Sequence, residues 1–425
     1  MDHRPEGIAH RGTEQRPRGE WSPRARHRAG STGRPRAAVR GAGLLLLLGL
    51  TDVHAADDEL TFMGPTIAFL AAMLVVADVC ARSGVFAWVG SVLARRSRGS
   101  PTRLLGIVFV AAAITTAVLS IDTTIVLLTP VAVLTARRVG ARVAPVGYAS
   151  DHLANSASTL MPVSNLTNLL AFSATGLGFV HFTGLMVAPW IAAIVVEYLI
   201  FRWYFADQLA APLHAPVDSG DDVSDDPPAP VAALTALTCL LVAFVVAEPL
   251  GVPLYAIAWI GAAAMLIPSL LRTPLPTLRS SLRAVNLPFL AFVAALGIII
   301  LPVREGPVGD GVAHLIPSGT SLLTLLAVAA LAAILANLLN NLPATLLLVP
   351  LVADRPGVVL AVLLGVNIGP NLAYFGSLAN LLWRDIMHRH TGSPTSRQYL
   401  TLGLLTVPPT LVAAVVALWI ALSVS

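Results

Sequence analysis

Asp122 stands in the run Ser120-Ile121-Asp122-Thr123-Thr124, inside an otherwise apolar stretch over residues 104–135. A carboxylate at bilayer depth is costly, and by default it is a functional group. Three roles suit it: a proton carrier, which is the preferred reading; a cap on the free N–H groups of a following helix; or a cation ligand. A second apolar stretch, 320–353, carries Asn337, Asn340, Asn341 and Pro343 in its middle. Downstream of each lies a segment interrupted by residues that break helices or carry amides and hydroxyls. In the first half these are Asn155, Pro162, Ser164, Asn165, Thr167 and Asn168, and in the second Gly365, Asn367, Gly369, Pro370, Gly376, Ser377 and Asn380.

These residues repeat. Ser164-Asn165-Leu166-Thr167-Asn168-Leu169-Leu170 matches Gly376-Ser377-Leu378-Ala379-Asn380-Leu381-Leu382, and Asn155 matches Asn367 at the same offset. Upstream, with a gap, Asp122 to Pro130 resembles Asn341 to Pro350. Taken singly, each Asn, Ser or Thr could be glue between helices. Matched in two halves, they read as a site. An unwound helix frees backbone groups that hydrocarbon cannot satisfy, so such backbone survives only where it is buried or lines a polar cavity. Half-helix N-termini then offer partial positive charge, and unwound carbonyls offer cation ligands.

The elements that position these residues follow from composition. Hydrophobic residues make up 56% of 425 positions and charged residues 12%, against about 25% charged in soluble domains. Residues 1–40 hold ten Arg against four acids; they predict a disordered basic tail and leave a nearly neutral body, so the basic excess does not point to nucleic acid. Stretches suited to crossing a bilayer are 41–52 (short), 62–80, 178–203, 229–248, 252–271, 286–303 and 399–423. Residues 205–228, with Asp218, Asp221, Asp222, Asp225 and Asp226, read as a solvated cytoplasmic linker between a first membrane half (41–204) and a second (229–425).

Each of the two polar-centred stretches could be two spanning helices or one re-entrant hairpin, and charge separates these. Cytoplasmic loops concentrate Arg and Lys. Arg95, Arg96, Arg98 and Arg103 precede the first stretch and Arg137, Arg138 and Arg142 follow it, so both ends face the cytoplasm. The second is flanked by Arg304, Glu305, Asp310, Asp354 and Arg355 without basic excess, which fits the outside. Arg272, Arg279, Arg283 and later Arg384, Arg389 and Arg397 return inside. The expectation is an all-α polytopic protein of the inner membrane with about 10–12 membrane segments, an inside N-terminus and an outside C-terminus. It is built from two inverted repeats, each holding a re-entrant hairpin and a broken helix, the architecture of secondary transporters.

At Asp122-Thr123-Thr124…Thr129-Pro130, Met161-Pro162-Val163-Ser164-Asn165-Leu166-Thr167-Asn168, Asn340-Asn341-Leu342-Pro343 and Gly376-Ser377-Leu378-Ala379-Asn380, the chain resembles the ion-transporter superfamily. Within it, it is most similar to the arsenite/antimonite efflux permeases (arsenical pump membrane proteins), which are related to the citrate/dicarboxylate transporter-like proteins. The resemblance runs from about residue 60 to the C-terminus. It implies proton-driven export of arsenite or antimonite, with the two hairpin tips and two breaks enclosing the site. It also implies a carrier that works alone or with a soluble ATPase subunit, and it allows a homodimer. Where many relatives have Ser-Asn-Asp at the first tip, this chain has Ser120-Ile121-Asp122. The competing functions are a sodium-coupled di- or tricarboxylate carrier, against which stands the lack of Arg or Lys within the motifs, and a sodium/proton antiporter, which wants clustered carboxylates.

The substrate and ion site is thus expected from Ser120, Asp122, Thr123, Thr124, Asn155, Ser164, Asn165, Thr167, Asn168, Asn340, Asn341, Asn367, Gly376, Ser377 and Asn380. No cofactor, metal or nucleic acid is expected, and neither is an enzyme, because His-Glu-x-x-His and Gly-x-Ser-x-Gly motifs are missing from the membrane segments. Cys80 and Cys239 are too few for a thiolate cage and read as small buried apolar residues. Asp78 and Arg82 have the spacing of an i,i+4 ion pair. Asp151 and His152 are expected to cap the first broken helix near the surface. Glu197, flanked by apolar residues over 178–203, is a further candidate for a functional role, although nothing in the other half matches it.

Overall fold

In a computed structural model of the chain, residues 33–213, 227–247, 249–391 and 394–424 are described. These form helices joined by short turns, with no strand among them. Seven helices of 18 residues or more are apolar enough to cross a bilayer, which at 1.5 Å per residue means about 27 Å or longer. Expectation and structure agree closely for Phe179–Tyr204, Val231–Ala247, Leu254–Arg272, Leu287–Arg304 and Ser396–Val424. The helix expected at 62–80 is longer, Val53–Arg82. Residues 33–40, assigned by composition to the tail, instead begin a helix, Gly33–Leu47, that packs along Leu287–Arg304 through Ala42, Ile298 and Ile299. The rest of the tail, the linker core at 214–226 and the conformation of Glu248 lie outside the described residues.

Lipid and protein sides are written along each helix. On Phe179–Tyr204, Val187, Ile191, Val195 and Leu199 recur every four residues and are exposed. The opposite stripe, Phe182, Met186, Ala193, Glu197 and Phe201, is buried. That stripe packs along Ser396–Val424. Cys80 is buried, whereas Cys239 is exposed on Val231–Ala247, contrary to expectation; its neighbours Leu237 and Leu240 take the inward positions.

Both polar-centred stretches are helical hairpins built alike. Pro101–Val118 starts at Pro101 with Ser100 Oγ accepting from Arg103 N, and Leu322–Leu339 starts with Ser321 Oγ accepting from Thr324 N. Each cap satisfies an N–H that the first turn leaves free. The first hairpin turns at Leu119 and Ser120 and returns over residues 121–138, with a π-helical stretch at Thr124–Leu128. The second turns at Asn340 and returns as Asn341–Leu351.

The two broken helices match residue by residue. Ala144–Ser156 and Leu166–Thr175 are separated by two 3₁₀ turns and two extended residues, Met161 and Asn165. Pro356–Ile368 and Leu378–Thr391 are separated by two 3₁₀ turns and the extended Ala373 and Ser377. Asp151 and His152 do not cap a helix near the surface. Their helix starts at Ala144, seven residues before Asp151, and both side chains are fully buried because protein encloses nearly every side of the helix.

Candidate functional site

Both hairpin tips and both breaks open onto one cavity. The first tip contributes Ser120 and Asp122, the second Asn340 and Asn341, the first break Ser164, Asn165 and Thr167, and the second break Ser377. Phe69, Met73 and Phe289 add apolar walls. Asp122 is the single ionisable side chain in this lining, and no cationic side chain joins it. Four helices begin at the cavity, at Ile121, Leu166, Asn341 and Leu378, so four partially positive ends face it.

Local chemistry explains each tip. Ser120 caps the returning arm: its Oγ accepts from Thr123 N at 3.1 Å and pairs with Thr123 Oγ1 at 2.8 Å. Asp122 is therefore not needed as the cap, and its carboxylate is half-buried at the cavity. Thr124 turns inward, pairing with Thr116 Oγ1 at 2.7 Å and with the Ser120 carbonyl at 3.1 Å. At the second tip, Asn340 holds φ 88° and ψ 156°, a region populated almost entirely by glycine. Its Nδ2 donates to the Phe375 carbonyl at 3.2 Å, which ties the tip to the second break. The first break is tied to the first hairpin by Ser164 Oγ donating to the Ala117 carbonyl at 2.6 Å, and Asn337 Nδ2 donates to the Gly369 carbonyl at 2.8 Å in the other half. Gly376 is required by close approach: a Cβ there would lie 2.6 Å from Pro370 Cα and 2.9 Å from Asn337 Oδ1.

Four of the expected ligands face one another rather than the cavity. Asn155 Nδ2 donates to Asn380 Oδ1, and Asn367 Nδ2 donates to Asn168 Oδ1 at 2.9 Å. Asn168 Nδ2 also satisfies the Ser158 and Met161 carbonyls of its own break, at 2.6 and 2.8 Å. Asn380 Nδ2 does the same at the equivalent positions, Pro370 and Ala373, at 2.8 and 3.2 Å. These four amides answer the question that unwound backbone poses in a membrane, namely what satisfies its carbonyls. Asn165 and Thr167 reach from the cavity wall to Asn367 Oδ1 at 3.0 and 2.9 Å, so the lock and the cavity share a boundary.

A second buried polar group gathers around Glu197, of which the sequence offered Glu197 alone as a candidate. Glu197 accepts from Ser156 Oγ at 2.7 Å and from Asn371 Nδ2 at 3.3 Å, and His152 Nδ1 lies 3.6 Å from its Oε1. Asp151 Oδ2 accepts from Tyr399 Oη at 2.8 Å. One signal was available: Glu197 falls on the same helical stripe as Phe182, Met186, Ala193 and Phe201, which a period of 3.6 places on one face. Asn371 had no such signal, because its importance comes only from what it touches. The Asp78–Arg82 pair forms as its spacing predicts, at 2.8 Å.

Comparison with known proteins supplies the remaining evidence on kinship. The profile of a family described as "Citrate transporter" matches residues 28–355. The arsenical pump membrane protein of Escherichia coli (strain K12) is 26% identical over 405 residues, covering 91% of this chain and 93% of that protein. The arsenical pump membrane protein of Yersinia enterocolitica is 24% identical over 402 residues, covering 90% and 92%. An uncharacterised transporter of Mycobacterium tuberculosis (strain ATCC 25618 / H37Rv) is 26% identical over 405 residues, covering 90% and 92%. Among solved structures, the Alcanivorax borkumensis YdaH transporter, described as having an unusual topology, is similar with a TM-score of 0.61 at 16% identity. That likeness covers 92% of this chain and 98% of the other, and at such identity it speaks for the fold alone.

Proposed function

The chain belongs to the citrate transporter family and is a multi-pass membrane transporter rather than an enzyme; from that premise we propose that it exports arsenite or antimonite in exchange for protons. The observation that carries this reading is the chemistry of the cavity. It offers hydroxyls and amides from Ser120, Ser164, Asn165, Thr167, Asn340, Asn341 and Ser377, one carboxylate, and no cationic side chain. Such a lining suits a small, neutral, hydroxylated cargo, the form in which arsenite would be handled without thiolates. The likeness to arsenical pump membrane proteins over more than nine-tenths of their length points the same way.

In this reading Asp122 carries the coupling proton. It is the one ionisable group in the cavity lining, where it can meet both cargo and solvent. A charge that must be neutralised or matched before the cavity can change its access couples the two fluxes. The halves act as inverted repeats, with the first hairpin entering from the cytoplasm and the second from outside, as the flanking Arg residues argue. The protein then resides in the inner membrane with its N-terminus inside.

The test is arsenite uptake into everted membrane vesicles energised with a proton gradient, comparing wild type with Asp122→Asn. Gradient-dependent uptake by wild type, lost in the variant, is the expected result. Uptake that survives the substitution removes the proton role from Asp122, and no arsenite movement in wild type overturns the cargo. One observation favours a second reading, a sodium-coupled di- or tricarboxylate carrier: the same four helix starts could bind an anion without any Arg. Sodium-driven citrate uptake in right-side-out vesicles, with no arsenite transport, would decide for it.

A further inference from the structure

The cavity leaves unused a set of ionisable groups buried deeper than Asp122. Glu197 has no exposed surface, and its carboxylate meets two other elements: Ser156 and His152 of Ala144–Ser156, and Asn371 of the second break. His152 is also fully buried, packed against the rings of Phe201 and Tyr399, and neither of its ring nitrogens has a hydrogen-bond partner. The titratable groups near it on the surrounding elements include Asp151 and Tyr148 on the same helix as His152, Tyr399 on Ser396–Val424, Tyr374 in the second break, and Tyr198 with the exposed Arg202 on Phe179–Tyr204, whose ends also carry His181 and Tyr204, while Arg397 opens Ser396–Val424. The guanidinium groups of Arg202 and Arg384 are turned to the rings of Tyr198 and Tyr374. Pro101–Val118 contributes Phe109 against Phe201.

The hydrogen bonds show how this carboxyl can exist in two states. Ser156 owns one hydroxyl proton and has two acceptors in reach, the His152 carbonyl at 2.8 Å and Glu197 Oε2 at 2.7 Å. With Glu197 ionised, the serine donates to it. With Glu197 protonated, the carboxyl donates to Ser156 Oγ and the serine turns to the carbonyl. Both arrangements are satisfied and differ by one hydroxyl rotation. At 3.6 Å the imidazole stands beside the carboxylate without a hydrogen bond to it.

We propose that Glu197, with His152 beside it, is a second proton-binding site of the transporter, linked to the cavity through Asn371 and Asn155. Asn371 donates both to Glu197 Oε1 and to the His152 carbonyl, and it accepts from Asn155 Nδ2 at 2.9 Å. Asn155 in turn donates to Asn380, in the first turn of the helix whose first residues, Leu378 and Ala379, line the cavity. A proton gained at Glu197 turns the charge-assisted bond that Asn371 donates to Oε1 into a weaker neutral one, and so loosens a contact that holds the second break against the first. The inference rests on the proton-coupled reading above, which supplies the driving ion.

Two measurements on full-length protein separate the two ideas. Infrared difference spectra of the purified transporter between alkaline and acid pH report the carboxylic-acid band, and no cargo is needed. Gradient-driven arsenite uptake and arsenite exchange at equal pH are then compared in vesicles. The expected result is a band component lost in Glu197→Gln but kept in Asp122→Asn, with driven uptake lost in Glu197→Gln and exchange retained. A band unchanged by Glu197→Gln overturns the site, as does driven uptake that is indifferent to it. If wild type moves no arsenite but the band still depends on Glu197, the proton site stands and the cargo reading falls. Should Glu197→Gln fail to assemble, Ser156→Ala keeps the acid and removes the hydroxyl, and a band that does not shift in it overturns the proposal.

Discussion

Asn155 donates its side-chain amide to Asn380 across 2.7 Å, joining the end of one half-helix in the first half of the chain to the start of another in the second. The equivalent bond, Asn367 to Asn168, runs in the opposite direction. Reciprocal exchange of this kind is what a two-fold relation between the breaks produces, and it orients Asn168 and Asn380, the amides that satisfy the carbonyls of their own breaks.

That dependence can be measured. Asn380→Ala removes the donor to the Pro370 and Ala373 carbonyls and one acceptor for Asn155. A loss of about 1–3 kcal/mol is expected from the unsatisfied buried groups. Melting in detergent should show Asn155→Ala and Asn380→Ala each lowering stability, with the double variant less than additive by about 0.5 kcal/mol or more.

At the second tip, the backbone of Asn340 favours glycine. Asn340→Gly is expected to melt near the wild type, whereas Asn340→Ala should be less stable than Asn340→Gly by about 1–3 kcal/mol. This reverses the ranking of the two residues inside a helix. If alanine proves the more stable, the tip does not hold this conformation.

Packing sets a second contrast. A Cβ on Gly369 would lie 2.6 Å from both Cα and Cβ of Ala333, where the broken helix approaches the hairpin, whereas a Cβ on Gly43 meets nothing within 4 Å. Gly369→Ala should cost about 1–3 kcal/mol by overpacking. Gly43→Ala should melt like the wild type, and equal melting of the two variants would refute the close approach.

The two ion pairs should respond differently to loss of the arginine. Arg82 and Asp78 are each about one-third exposed, at 35% and 28%, and their pair is worth about 0–1 kcal/mol. Arg304 reaches Glu59 at 3.1 Å from a distant helix, and Glu59 is only 7% exposed. Arg304→Ala should therefore lower the yield of folded protein, while Arg82→Ala should leave it unchanged.

The orientation of the hairpins can be read by single-cysteine labelling in a Cys-free background with an impermeant reagent. Gly99→Cys, before the first hairpin, should label only from the cytoplasmic side, and Ser318→Cys, before the second, only from outside. Labelling of both from one side would contradict the inverted arrangement.

The amino-acid sequence by itself determined the membrane class, most of the spanning segments, the two polar-tipped hairpins and the repeated breaks. Those features answer local constraints: a bilayer demands a run of apolar residues, and unwound backbone demands Gly, Pro, Ser and Asn nearby. The motif likeness to arsenical pump proteins was legible for the same reason, and the family match and relatives bear it out. Only the tertiary structure decided which polar residues line the cavity and which face each other. Ser164 and Asn168 sit in one motif, yet Ser164 lines the cavity while Asn168 pairs with Asn367 at the far end of the chain. Glu197 looked isolated because its partners, His152, Ser156 and Asn371, are brought to it by helices that are far apart in sequence. A buried polar side chain takes its meaning from the donors and acceptors around it, and that neighbourhood exists only after the halves have packed.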